Sequence, residues 1–502
     1  MESFELHVDQ IFSDNMVLPA GKSFQISGAG RAGSTVKVKI ASDIKRAIVK
    51  RDGRWTCRFD PVIDTRSSFE VQIADGREQI LLKKVRFGRV ILMAGQSNVG
   101  FRMAQDQDFE TEVNHFTLNN IAYYNVPQPA FYFQNGQVEV YQSKTTHWHQ
   151  LKATNLGHIS AMAFYAVKRM TEEDPQLPIG VVCCTRDGAL AATWLSKSTL
   201  TSQPQLMDEI VRPFEKQLQN KPNREFEEEV KLYRQKVQRH NRRMYKFMKD
   251  NPSVPLGMAL NIVGQTPWPP PVTPDSYLKP GTLFKAMVLK IKNYSFDQVV
   301  WYQGETDIET RHLYDVLLRE IINDWRRVFQ DYSLPFYIIQ LPKYANVLRN
   351  AWAEIRQQML KVSQTLAVVH LVSITDTGEL YNPHPVTKRI AGTRLGKILA
   401  GTTYSSTPVF NRIIKDKNQV HLKFKGVQHI HATQNCHIEG LVNGVWQSIP
   451  AKIKDDQVVV EFPNGTTQAR YGYSNAPILT LYNEQNDPIA PFLINLDEGN
   501  LI

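Results

Sequence analysis

Three short loops carry side chains that could do chemistry. Gly95-Gln-Ser-Asn98 follows the apolar run Val90-Ile-Leu-Met. A serine just past the carboxyl end of a parallel strand, at a helix start, is where an α/β sheet places a nucleophile. The residue two after Ser97 is Val99, so the loop is not the Gly-x-Ser-x-Gly elbow. Thr185-Arg-Asp-Gly188 follows Val181-Val-Cys-Cys, and Gly188 could turn its backbone N–H toward an oxyanion. Gln303-Gly-Glu-Thr-Asp307 follows Val299-Val-Trp-Tyr, where Gln303 offers a neutral amide donor and Glu305 a carboxylate. Taken singly, each loop has a plainer reading: a helix cap for Ser97, a tight turn for Gly188. Three strand ends meeting at one rim are harder to explain that way.

A base for Ser97 would be a histidine, and the chain has 13. His147 and His149 flank Trp148, and His429, His431 and His437 lie near Cys436; exposed strand positions explain these better than metal ligation. His384 differs. It stands in Asp376-Thr-Gly-Glu-Leu-Tyr-Asn-Pro-His384-Pro, after the last apolar run, with a helix expected from about Thr387. That gives the order Ser…His with acids just before the histidine, which fits a serine hydrolase.

The elements that must hold these loops can be read from periodicity. Up to about residue 84 short alternating runs such as Ser34-Thr-Val-Lys-Val-Lys-Ile suggest a small β-sandwich, with Asp52-Gly53 as a hairpin signal. From 85 to 402, five apolar runs separated by helical stretches imply an α/β domain with a parallel sheet covered on both faces. A helical insertion spans about 205–280. Its clearest helix runs from Arg224 to Met248, with Asn223 able to cap it and Pro252 marking its end. Its plainer reading is a solvated helix packed on the domain. The Pro267-Trp-Pro-Pro-Pro-Val-Thr-Pro stretch after it reads as an extended loop. Residues 403–502 return to β.

Composition excludes several classes. At 502 residues the chain has room for about three domains. With 42% hydrophobic and 22% charged residues it is globular rather than disordered. No apolar run is long enough for a membrane span. Four cysteines do not make a disulfide framework, and no Cys-x-x-Cys spacing exists, so metal ligation by cysteine is not expected. The net charge of +10 is spread along the chain and gives only a weak hint of acidic partners; no nucleic-acid motif accompanies it. No signal peptide is visible, so the chain as given reads as cytoplasmic, or as secreted or lysosomal if a leader is missing.

Gly95-Gln-Ser-Asn98, Trp301-Tyr-Gln-Gly-Glu305 and the Asp376…His384-Pro segment resemble blocks of the SGNH-type sialate O-acetylesterase family. Ile11-Phe-Ser-Asp-Asn-Met-Val-Leu-Pro19 resembles its opening segment, and Ala469-Arg-Tyr-Gly-Tyr473 and Pro488-Ile-Ala-Pro-Phe492 its closing one. The resemblance implies a flavodoxin-like parallel sheet between two β regions. It further implies a carboxylesterase that removes O-acetyl groups from sialic acid through a serine acyl-enzyme, without a metal or organic cofactor. Ser97 would be the nucleophile and His384 the base. Ser97 and Gly188 N–H groups and the Gln303 amide would form the oxyanion hole, and Gln96, Asn98, Arg186 and Asp187 would meet the substrate.

The chain departs from that family where its triad acid and second block should be. Asn382 stands two before His384 in place of the family's aspartate, and Tyr381 three before it. Glu305 and Asp376 are then the candidate acids, with Glu379 third and a backbone carbonyl as the other option. Arg186-Asp187-Gly188 keeps only the last glycine of the second block, and Ala192 replaces a glutamate. These changes leave two alternatives: an acetylesterase of other polysaccharides such as xylan or pectin, or a glycan-binding protein with a decayed site.

Overall fold

A computed structural model describes residues 5–128, 146–219, 221–254, 256–274, 276–401 and 406–502, with the backbone strands Ala130–Gln134 and Gln137–Tyr141. The expected boundary between 402 and 403 lies outside the described residues. The architecture is α/β with β-rich regions at both ends.

Six parallel strands form the central sheet: β1 (Gln79–Gly95), β2 (Ile121–Asn125), β3 (Ile179–Thr185), β4 (Gln298–Tyr302), β5 (Phe336–Gln340) and β6 (Val369–Ser373). Their spatial order is β2-β3-β1-β4-β5-β6, with His149–Gln150 antiparallel at the β2 edge. All seven residues of β3 and all five of β5 are buried, as continuous apolar runs require when helices cover both faces. The helices α1 (Ala161–Thr171), α2 (Asn223–Asp250), α3 (Leu256–Val263), α4 (Tyr314–Val328), α5 (Ala351–Thr365) and α6 (Arg389–Ala400) include the covering layers and the insertion.

The chain leaves β1, crosses to the β2 edge, returns to β3 and then passes to β4 on the other side of β1. A reversal of this kind opens a crevice above the carboxyl ends of the strands beside it. Register makes it compact, because Gly95 pairs with both Thr185 and Tyr302. The loops after β1, β3 and β4 therefore start side by side. Gly95 has φ +132°, and a Cβ there would lie 2.0 Å from the Tyr302 carbonyl oxygen, so only glycine fits.

The N-terminal region is joined to this sheet through one strand. β1 is 17 residues long: its first part pairs with Phe69–Ala74, its middle with Val17–Pro19, and its end with β3 and β4. The division expected after residue 84 thus falls inside a continuous strand. The Asp52-Gly53 turn is not a hairpin. Asp43–Ile48 pairs with Thr35–Ile40, whereas Arg54–Phe59 pairs with Phe24–Ala29, so the turn is a corner between two sheets. Trp55, Cys57 and Phe59 must face a core, and the stacking of Phe24 on Phe59 at 5.2 Å fixes the partner. The C-terminal region is a seven-stranded antiparallel sheet from Val409 to Asn495.

Within the insertion, α2 begins at Asn223 with Pro222 at the cap position, so Asn223 is the first helical residue rather than the cap. Only Phe226 and His240 are fully buried on this helix, and Tyr233 donates to the Pro267 carbonyl at 2.8 Å. The insertion does more than pack on the surface. It carries the loop from Gly264 to Tyr277 across the strand ends.

Candidate active site

Ser97 opens the short helix Ser97–Gly100 directly after β1, and the backbone N–H of Gln96 donates to the Tyr302 carbonyl at 3.1 Å. The Ser97 hydroxyl lies 2.8 Å from His384 Nε2. His384 Nδ1 lies 3.2 Å from Gln265 Oε1, in the loop after α3. An amide oxygen can only accept, so Nδ1 carries the proton and Nε2 is left to accept from Ser97. Burial, with the Lys388 charge added, pulls the His384 pKa down to about 4. The imidazole is therefore neutral at pH 7, as a base must be.

The loop carrying His384 is held at four backbone atoms. The Asn382 side chain accepts from the His384 N–H at 3.0 Å and donates to the His384 carbonyl at 2.7 Å. On either side, Asn98 Nδ2 donates to the Pro383 carbonyl at 2.9 Å and Lys388 Nζ to the Pro385 carbonyl at 2.8 Å. Asn382, which stands where an aspartate was expected, thus clamps the backbone and does not touch the ring.

None of the three candidate acids bonds to His384. Glu305 accepts from Asn98 Nδ2 at 2.7 Å, and its second oxygen is buried with no partner among the described residues. Burial raises its pKa to about 7, with the Asn98 bond and the Lys388 charge opposing. Asp376 makes a two-pronged pair with Arg394 at 2.8 and 2.9 Å, and the same guanidinium reaches Asp487 at 3.0 Å. A buried arginine claims this acid because an unpaired buried charge is costly. Glu379 braces the loop by accepting from the Val386 N–H at 2.8 Å and from Asn382 at 3.2 Å.

The proposed oxyanion donors divide in the same way. Among the described residues neither the Ser97 nor the Gly188 backbone N–H has an acceptor. Gly188 has φ +67°, and a Cβ there would lie 2.1 Å from Trp268 Nε1, so the turn and the indole over it both require glycine. Gln303 is a correction. Its amide is fully buried, donates to Asp307 Oδ2 and to the Ala189 carbonyl at 3.0 Å, and accepts from the Tyr314 hydroxyl at 3.1 Å. Asp307, whose pKa burial lifts to about 6, needs those donors, so Gln303 ties the β4 loop to the β3 loop instead of facing a substrate.

Of the four expected substrate contacts, two lie below the floor. Gln96 is 2% exposed and accepts from the Thr306 hydroxyl at 2.9 Å; Asn98 is 0% exposed with its amide saturated. Arg186 and Asp187 are at the rim. The Arg186 guanidinium lies 4.4 Å from the centre of the Tyr277 ring and donates to Gln128 at 3.2 Å. Asp187 reaches solvent from a crowded recess; that desolvation raises its pKa while Arg186 and Arg102 pull it down.

Sequence reasoning missed Gln265, Lys388 and the internal role of Asn98. Gln265 lies 119 residues before His384, just ahead of the stretch read only as an extended loop, and glutamine is not the residue type sought beside a candidate catalytic histidine. Lys388 sits four residues past His384, at the cap position before α6, where a lysine normally reads as solvated.

Comparison with known proteins bears on the same loops. A family model described as "Carbohydrate esterase, sialic acid-specific acetylesterase" matches residues 246–405, which include Gln265, Gln303, Asp376 and His384. Sialate O-acetylesterase of Mus musculus is 26% identical over 356 residues, 65% of this chain and 58% of that protein. The Rattus norvegicus protein of the same name is 25% identical over 347 residues, 64% of this chain and 57% of that protein. The chain thus spans less than two thirds of the length of these curated relatives. A crystal structure described as a carbohydrate acetylesterase from Xanthomonas citri superposes with a TM-score of 0.73 at 19% identity, covering 98% of this chain and 100% of that one, and so shares the fold. The family match thus spans the loop that carries His384, and the chain is similar to the sialate O-acetylesterases of the two rodents.

Proposed function

We propose that the chain is a carbohydrate O-acetylesterase of the SGNH type, acting on O-acetylated sialic acid through an acyl-enzyme on Ser97. The observation that carries this reading is the 2.8 Å contact between Ser97 Oγ and a neutral His384 Nε2, at the crevice above the strand ends. Ser97 Oγ attacks the acetyl carbonyl carbon as His384 takes its proton. The carbonyl oxygen becomes an oxyanion, received by the Ser97 and Gly188 backbone N–H groups. Collapse expels the sugar alkoxide, protonated by His384. Water, deprotonated by the same imidazole, then attacks the acetyl-serine and acetate leaves.

Gln265 holds the imidazole in the required tautomer and orientation. Being neutral, it offers the transient imidazolium less than a carboxylate would. Lys388 also disfavours the imidazolium. The price of this arrangement is a weak base, compensated by its full availability at neutral pH.

The test is acetate release from O-acetylated sialic acid by the chain and by Ser97→Ala. Rates that are the same for both proteins sink the proposal. Failure of a fluorophosphonate probe to label Ser97 would favour the decayed, glycan-binding alternative, and faster turnover of acetylated xylan or pectin would replace the substrate.

A further inference from the structure

A cavity of about 590 Å³ opens at the carboxyl ends of β2 and β3, next to the nucleophile helix. Its wall includes Gly100, three residues after Ser97 on the same short helix, and Thr185, the last residue of β3. Three residues of helix advance about 5 Å, so one end of the cavity is a single sugar ring away from the nucleophile. Gly100 keeps this connection open: a Cβ there would come within 3.0 Å of Thr185 Oγ1 and 3.5 Å of Asp187 Oδ1.

The lining is polar and leans positive. Arg102, His149, His158, Asn125 and Asn155 face it together with Thr185, and among the described residues no acidic one lines it. Arg102 is exposed, and among the described residues no side-chain hydrogen bond or ion pair engages its guanidinium. The acid nearest in charge is Asp187 at the rim, whose other cationic neighbour is Arg186. His149 is held by stacking on Tyr123 at 5.3 Å and against His147 at 4.1 Å. Burial and the neighbouring histidines lower its pKa, so it serves as a neutral hydrogen-bonding group. Arg102 is left as the fixed positive charge of a cavity sized for a sugar.

We infer that this cavity is the subsite for the sugar's carboxylate, with Arg102 as the residue that selects an acidic sugar over a neutral one. The inference rests on the acetylesterase reading of Ser97 and His384 and names what that site recognises. A guanidinium matches a carboxylate with two parallel N–H donors, which fixes the ring's orientation as well as its charge. The amides of Asn125 and Asn155 and the two imidazoles suit the ring's hydroxyl and N-acyl groups. Sialic acid carries its carboxylate and its O-acetylated hydroxyls on different parts of one molecule, so the acid can lie in this cavity while the ester meets Ser97.

Equilibrium binding separates this inference from the catalytic reading. The probes are the methyl glycoside of N-acetylneuraminic acid and its methyl ester, which differ in one charge. The wild-type chain should bind the acid roughly tenfold or more tightly than the ester, the margin of a charge-assisted hydrogen bond. Arg102→Gln should abolish that preference, and Arg102→Lys should restore part of it, with thermal melting of both variants matching the wild type. Equal binding of acid and ester by the wild type, or a preference that survives Arg102→Gln, overturns the inference. Acetate release, measured separately, judges the esterase reading: an Arg102-dependent preference without turnover sinks that reading and supports the subsite.

Discussion

Glu305 and Lys388 meet at one asparagine: Glu305 Oε1 accepts from Asn98 Nδ2 at 2.7 Å, and Lys388 Nζ donates to Asn98 Oδ1 at 2.9 Å. The amide therefore links a buried acid to a buried base without direct contact between them. Burial pushes both toward neutrality, the acid up to about 7 and the lysine down to about 7. The direction of the two hydrogen bonds fits a carboxylate on one side and an ammonium on the other. Because Asn98 and Lys388 also hold the carbonyls before and after His384, this network positions the loop that carries His384.

Asn98→Ala removes the bridge and leaves the Pro383 carbonyl, Glu305 and Lys388 each short of a partner. Stability should fall by about 3 kcal/mol, read from denaturant unfolding. Turnover should fall at least tenfold with little change in KM. A variant as stable and as active as the parent would refute the network's role.

Gln265→Glu places a carboxylate on His384 Nδ1. The wild-type base loses its neutral form only as pH falls through about 4, so activity should persist well into the acid range. A neighbouring anion favours the imidazolium, so the acid limb of the kcat/KM profile should move upward by a unit or more. The plateau above it should rise. Gln265→Ala should leave the limb low and reduce the plateau about tenfold. An unshifted limb in Gln265→Glu would show that Gln265 does not hold the histidine in solution.

Asp376→Asn tests whether that acid is structural. Its partner Arg394 is 5% exposed and also holds Asp487, and breaking such a buried pair costs about 3–5 kcal/mol. The expected result is a large loss of thermal stability with fluorophosphonate labelling of Ser97 retained below the melting point. Loss of labelling in a folded variant would restore Asp376 to the catalytic group.

Gly188→Ala introduces a Cβ at φ +67° and into Trp268 Nε1. Displacement of this turn misaims one oxyanion donor, and kcat should fall about a hundredfold. Adding Trp268→Ala relieves the clash but not the backbone, so rescue should be partial. Wild-type turnover in the single variant would remove Gly188 from the oxyanion hole.

The parts legible in the sequence were those written in contiguous residues. Apolar runs ending in Gly95, Thr185 and Tyr302 announced a parallel sheet, and the types Ser97 and His384 announced their pairing across 287 positions. What the histidine leans on was not legible, because its partner is a neutral amide delivered by an insertion. Gln303 misled for a physical reason: a buried amide beside a strand end can serve an oxyanion or a desolvated aspartate, and only the packing of Asp307 decides. Asp52-Gly53 misled likewise, since local turn chemistry is silent about which sheet the next strand joins.

The 17-residue strand β1 has a consequence for any attempt to dissect the molecule. Its amino-terminal half belongs to the β region and its last residue is two before Ser97, so the ladder is shared from one end to the other. A fragment cut at residue 85 would begin with a severed edge, its backbone groups at Arg86–Gly88 unpaired where Val17–Pro19 had been. The β region and the central parallel sheet should accordingly melt in one cooperative step, and the smallest stable piece of this chain that holds Ser97 extends back through its amino-terminal sheets.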